Sequence, residues 1–340
     1  MNSVQRTKYK WMSISLSLSL VLMLLKFTAW WLTGSTAILT DALESIINVV
    51  ASGFALYSIY LAGQPRDRNH PYGHGKIEFF SSGFEGALIL SAGIFIGIQA
   101  VRSYFAPHPI QNLDSGLWLI AITTAANALV GWLLVRNGRL TNSITLIADG
   151  RHLLTDSLSS LFVVLGIGAI MLTGQLWIDS ALSLLLSLII TFNGFTLIRA
   201  SVAGLMDETD LDLLQRIISI LNQHKHPDWI DVHNLRVQRY GADLHIDCHL
   251  TMPYYWDLTR VHTEVQHFEA VMKRESDGEV EIFVHADPCL QDCCHYCHVA
   301  DCPVRGHAFV RDIQWTVANI SSNQKHFESA SHYVTEKKSE

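Results

Sequence analysis

Two runs of polar side chains interrupt apolar stretches of this chain: Asp41, Glu44, Asn48 and Ser52 in one, Asp149, His152, Asp156 and Ser160 in the other. Both runs use the spacing i, i+3, i+7, i+11, and a constant offset of 108 relates them, 44 to 152 and 48 to 156. That spacing lines each set along one stripe of a helix. Ionisable groups at membrane depth are costly, and by default they mark a site or a pathway. Brought together, Glu44, Asn48, His152 and Asp156 form a four-ligand cage to which each helix contributes an i, i+4 pair. Two carboxylates, an imidazole and an amide oxygen suit Zn²⁺, Mn²⁺ or Fe²⁺, and four-coordination suits Zn²⁺ best. The two carboxylates balance one divalent cation. Without it they need protons in a low dielectric, so loading the metal should expel protons. The competing reading is that these groups only make interhelical hydrogen bonds, as Asn and His do in helix bundles. Asp41 and Asp149 are either further acids of the site or structural residues.

Elements that could position such a site are legible in the composition. The chain has 340 residues, 49% hydrophobic and only 16% charged, which is more apolar surface than a soluble core needs. Its 24 Lys and Arg against 31 Asp and Glu leave a net charge of −7, which excludes the basic surface required for nucleic acid. Stretches long enough to cross a bilayer fall at about 12–32, 36–62, 77–105, 115–135, 144–173 and 177–200. The first is too long, and too closely followed by the second, for a cleaved signal peptide. Basic residues crowd one side: Arg6, Lys8 and Lys10, then Arg66, Arg68 and Lys76, then Arg136 and Arg139, then Arg199. The connections at 34–35, 107–115 and 174–175 have none. The positive-inside rule then puts both termini in the cytoplasm, in a cell-membrane protein of six spans. Spans two and five run antiparallel, as an inverted repeat of three helices plus three would require around a midplane site. Lys26, inside span one, can snorkel or pair internally.

The charged residues concentrate after residue 205. Periodicity reads as helix at 208–225, strands at 230–239 and 243–251, helix at 255–274 and strand at 279–286, an αββαβ order for a ferredoxin-like domain. Leu244, Ile246, Cys248 and Leu250 share the core face of the second strand; His245, Asp247 and His249 share the other. The domain plan is therefore a transmembrane part over 1–206, a cytoplasmic α+β domain over 207–288, and a Cys/His-rich segment with a polar tail over 289–340. Between spans two and three, RDRNHPYGHGK (66–76) contains enough Pro and Gly to make a turn, in which Asp67, His70 and His74 either meet around a second metal or are simply solvated. Five of the six cysteines, Cys289, Cys293, Cys294, Cys297 and Cys302, lie close together with His295 and His298. In a reducing cytoplasm they read as a soft-metal site rather than a disulfide knot. Cys248 reads as core.

Four segments in this order resemble the cation diffusion facilitator family, its bacterial zinc and iron efflux branch above all: TAWWLTGSTAIL, QPRDRNHPYGHGKIE, ADGRHLLTD and VHADPC, spanning about residues 8–290. The resemblance implies a homodimer whose transmembrane halves alternate access while the cytoplasmic domains bind further zinc. It places the transport site on Glu44, Asn48, His152 and Asp156 and the loop site on Asp67, His70 and His74. It places the cytoplasmic zinc ligands on His233, His249, His262, His285 and Asp287, which would otherwise read as exposed strand histidines. It pairs Lys76 with Asp207 as a link between the two parts. Zinc carriers of the family usually have His or Asp where this chain has Glu44 and Asn48, so the metal stays open among Zn²⁺, Fe²⁺, Mn²⁺ and Co²⁺. The expected function is export of a divalent metal from the cytoplasm in exchange for protons. Its partners are metal ions, protons, the lipid bilayer and a second copy of the chain. No GxxxxGK[ST] loop and no base-supported nucleophile occurs, so neither ATP-driven pumping nor enzymatic chemistry is implied, and no organic cofactor is expected. The alternatives are a metal sensor or scaffold without net transport, and a passive cation channel.

Overall fold

A computed structural model describes residues 3–33, 36–105, 116–173, 177–241, 243–275 and 280–327, without the side chains of 32–44 and some others within the helices. The chain divides into two compact units, Met1–Met206 and Asp207–Glu340. The first contains α1 (Ser3–Thr33), α2 (Thr36–Ala62), α3 (Ile77–Phe105), α4 (Gly116–Leu140), α5 (Ile144–Thr173) and α6 (Trp177–Leu205). Among the described residues, Val4–Thr28, Ile77–Arg102 and Ser180–Leu205 are long and apolar enough to cross a membrane. The Lys- and Arg-free connections used to orient the chain lie outside the described residues.

α1 packs along α2 as α4 packs along α5, and α3 lies along α6, which is the pairing a repeat of three helices predicts. Small residues allow these close approaches. A Cβ on Gly194 of α6 would lie 2.5 Å from the backbone nitrogen of Leu90 in α3, and one on Gly150 of α5 would lie 2.8 Å from that of Val135 in α4. One end of the unit is tied by an ion pair. Lys8 Nζ of α1 donates to Glu78 Oε1 of α3 at 2.7 Å, with each side chain 1% exposed. Ser143, in the turn before α5, donates to the other oxygen of Glu78.

The second unit opens with α7 (Leu211–Gln223), whose cap is Asp210: its carboxylate accepts the Leu213 N–H at 3.0 Å and the Arg239 guanidinium at 3.0 Å. Then come β1 (Asp231–Tyr240), β2 (Asp243–Met252), α8 (Leu258–Glu275) and β3 (Val280–Pro288). The sheet order is β1-β2-β3, with β1 antiparallel and β3 parallel to β2, the latter joined through α8. Leu244, Ile246, Cys248 and Leu250 enter one core with Leu214, Ile217 and Leu221 of α7 and Phe268 and Met272 of α8. Burial pushes the Cys248 thiol up to about 12.

The residues after β3 are built onto this domain. A 3₁₀ turn (Gln291–His295) follows the last strand, and Trp315 and Ile320 of the region around α9 (Val317–Ile320) are buried in the same core as α7. Asn222 of α7 holds the Trp315 backbone at both ends, donating to its carbonyl at 2.9 Å and accepting its N–H at 3.3 Å. His326 donates its N–H to Asp231 at 3.0 Å. Residues 328–340, expected to be a polar tail, lie outside the described residues.

Candidate metal centres

The constant offset between the two polar runs becomes a contact. Asn48 Nδ2 of α2 donates to Asp156 Oδ2 of α5 at 3.0 Å, across the 108 positions that separate them. The other end of the same amide, Oδ1, lies 2.9 Å from His152 Nε2, which is in turn 3.9 Å from Asp156 Oδ2. Three of the four expected ligands therefore converge, each within a helix that presents it from one stripe. The fourth, Glu44, one turn before Asn48 on α2, has a side chain outside the described set, as has Asp41. Asp149 has a different environment. It is fully buried, and its two oxygens accept hydroxyls from Ser15 of α1 and, at 2.9 Å, from Ser52 of α2. These bonds use it as a clamp between three helices.

One acid was not anticipated. Glu85 of α3 is completely buried, neither of its carboxylate oxygens has a hydrogen-bond partner among the described residues, and the ionisable groups acting on it are Asp149, His152 and Asp156. Span three, taken as an apolar run, hid this acid, which has no polar companion at i+4. A signal existed: the 108-residue offset carries Glu85 onto Asn193 of α6, so the partner helices α3 and α6 each hold a polar residue at the related position.

The loop triad meets outside the helices. His70 Nδ1 is 3.1 Å and His74 Nε2 is 3.5 Å from the Asp67 carboxylate, and the two rings lie 4.3 Å apart. Asp67 also accepts the N–H groups of His70 at 2.7 Å and Asn69 at 2.8 Å, and the first of these holds its carboxyl below the usual range. The carboxylate is thus charged and fixed, with two imidazoles already directed at it.

In the second unit the strand register assembles the cytoplasmic set. His233 of β1 pairs with His249 of β2, and His249 with His285 of β3, which puts three histidines in a row across the sheet. Asp287, two residues along β3, reaches His233 Nε2 at 3.3 Å, His249 Nδ1 at 3.3 Å and His285 Nε2 at 3.4 Å. Ligand atoms of His233, His249 and Asp287 lie within 4.8 Å of one another, a spacing one cation can bridge. Burial pushes the His233 imidazole below its ordinary value, which favours the neutral, ligating form. A bulge after His233, with Asn234 at φ 51°, brings the Asn234 amide 3.1 Å from His249 Nε2. His262, on α8, is exposed and outside this group. Lys325, from beyond β3, approaches Asp287 at 3.8 Å.

Two further placements differ from the sequence reading or were absent from it. His295 turns away from the cysteines and groups with Asp292 and His307, its ring stacked on that of His307 at 4.8 Å. His226, Asp228 and Glu264 form another group, unmarked by any motif because α8 supplies Glu264 from a distance in sequence. Lys76, just before α3, and Asp207, at φ 56° after α6, belong to different units.

Comparison with known proteins agrees with this layout. Residues 12–206 match the cation efflux transmembrane domain, and residues 209–289 match the cation efflux protein cytoplasmic domain. An uncharacterized transporter of Synechocystis sp. is 35% identical over 271 residues, covering 79% of this chain and 86% of that protein. Metal tolerance protein C1 of Arabidopsis thaliana is 28% identical, over 76% of this chain and 58% of its own length. The cation-efflux pump FieF of Yersinia pestis is 26% identical, over 78% of this chain and 88% of its own.

Proposed function

Because this chain belongs to the cation diffusion facilitator family, a family of metal-efflux transporters, we propose that it exports a divalent transition metal, Zn²⁺ first among the candidates, in exchange for protons. The observation that carries this reading is the meeting of Asn48, His152 and Asp156 across α2 and α5. Glu44 completes the set from the next turn of α2. All six long helices cross the cell membrane, with both termini in the cytoplasm, and two copies work together through the cytoplasmic domains. Zn²⁺ bound by His233, His249 and Asp287 would act as a structural or regulatory ion in that domain.

The mechanism follows from charge. The amide of Asn48 donates to Asp156 while its oxygen faces His152, so the three side chains are held together by their own hydrogen bonds. An arriving cation turns the Asn48 oxygen and the imidazole toward itself, and the carboxylates give up their protons to balance it. Glu85, buried beside this group with neither oxygen hydrogen-bonded among the described residues, exchanges a proton with the site. Alternation between inward- and outward-open forms then exchanges metal for protons, each species favouring one form.

Reconstituted vesicles test the proposal. A pH gradient should drive metal uptake, and collapsing it should stop uptake. Uptake indifferent to the gradient would mean a channel, and no uptake a sensor. Two variants refine the test. Asn48→Asp should shift competition toward Zn²⁺ over Fe²⁺ and Mn²⁺, since it restores a charged ligand; unchanged competition would remove Asn48 from the selectivity argument. Glu85→Gln should keep metal binding but flatten the dependence of flux on the gradient. An unaltered dependence would exclude Glu85 from the proton path.

A further inference from the structure

Beyond the family match, which ends at residue 289, five cysteines surround one cavity: Cys289, Cys293, Cys294, Cys297 and Cys302. None of them is in a disulfide. Backbone groups approach three of the sulfurs. The Leu290 N–H points at Cys293 Sγ from 3.4 Å, and backbone groups of Tyr254 and Val299 donate to the thiols of Cys289 and Cys297. Burial nonetheless holds the thiols of Cys289, Cys293 and Cys297 above their ordinary value, so a bound cation would have to displace their protons. Arg305 stiffens the loop that carries them, with Nη2 donating to the carbonyls of Val299 at 2.6 Å and Cys297 at 3.2 Å. The cavity wall is otherwise apolar, and Cys293, Tyr296 and Cys297 form a small core with Ile230 at the start of β1.

We propose that this pocket is a separate binding site for a thiophilic d¹⁰ cation of the Zn²⁺ and Cd²⁺ class, held by Cys289, Cys293, Cys297 and Cys302. The chemistry differs from the four His/carboxylate groups, because a sulfur-only set selects soft cations over Mn²⁺ or Fe²⁺. Those groups have ligand atoms within 4.8 Å of one another, whereas the cysteines are brought together by lining one cavity. Cys289 directly follows Asp287 and Pro288, so a cation here lies beside the cytoplasmic histidine group on the same strand end. The site stands independently of the transport reading and survives its failure.

Cobalt substitution in the full-length, reduced protein in detergent tests it. Wild type titrated with Co²⁺ should develop intense near-ultraviolet sulfur-to-cobalt charge-transfer absorption, which nitrogen and oxygen ligands do not give. Cys293→Ser/Cys297→Ser should lose that band while metal flux in vesicles persists. A wild type without the band, or a double variant that keeps it, overturns the assignment. Should the double variant misfold, alkylation of wild type decides: Cd²⁺ should protect these four thiols and leave the core thiol Cys248 unaffected. Equal labelling with and without Cd²⁺ refutes the site.

Discussion

Replacing Asp156 by Ala should abolish metal flux while leaving the folded protein intact. Asp156 is the only one of the three converging residues that brings a full negative charge, and its carboxylate touches both Asn48 and His152. Losing a group that merely supports a ligand costs about 10- to 100-fold in metal affinity or activity, so losing the charged ligand itself should exceed about 100-fold. Asp156→Asn separates charge from shape. It keeps an oxygen in place and can still bond Asn48, yet cannot neutralise the cation, so it should be nearly as inactive as the Ala variant. The assay is zinc uptake into vesicles at matched protein content, with size-exclusion profiles as the check on folding. Flux within a few-fold of wild type for either variant would remove Asp156 from the site. The same logic makes Asp149 a control. It is satisfied by Ser15 and Ser52, so Asp149→Asn should reduce stability rather than selectivity.

The second large effect concerns the ion pair at the end of the helical unit. Lys8→Met would leave Glu78 buried with Ser143 as its one remaining side-chain donor among the described residues. Breaking a buried pair by removing one partner typically costs about 3–5 kcal/mol, because the remaining charge is uncompensated. Replacing both partners with apolar groups of similar volume is often neutral. Lys8→Met should therefore lower the melting temperature in detergent sharply, and Lys8→Met/Glu78→Leu should recover most of the loss. If the double variant melts no higher than the single one, the pair is not what holds α1 to α3. The basic N-terminus, counted in the sequence only for its side of the membrane, would then have no structural part beyond orientation.

How much was legible depends on whether a residue's role is local or distant in sequence. The quartet could be found because helical spacing and a repeat both act on it: two stripes with one offset predict that Asn48 and Asp156 meet. The αββαβ order came from alternation in β2, where one face is apolar without interruption. Its element ends lie within three residues of those read, and α7 starts three residues late because Asp210 rather than the preceding charges caps it. Glu85 was missed because no polar residue sits at i+4 to mark a stripe; its offset to Asn193 was a faint signal, and the packing of α3 against α5 gives it meaning. The residues from 289 to 327 carried no period to read. They fold because Trp315 and Ile320 fill the α7 side of the core and because His326 finds Asp231, contacts that join positions about a hundred residues apart. His295 was grouped with its cysteine neighbours by proximity in sequence, and the 3₁₀ turn sends its ring the other way.

The central claim is that one cation sits among Glu44, Asn48, His152 and Asp156 between α2 and α5. Anomalous scattering recorded at the zinc edge from metal-loaded protein tests it most directly. The account predicts a peak within bonding distance of His152 Nε2 and Asp156 Oδ2, absent from crystals of Asp156→Ala grown the same way. Zinc found only in the His233, His249 and Asp287 group and at the cysteines, with no peak between α2 and α5, would contradict it.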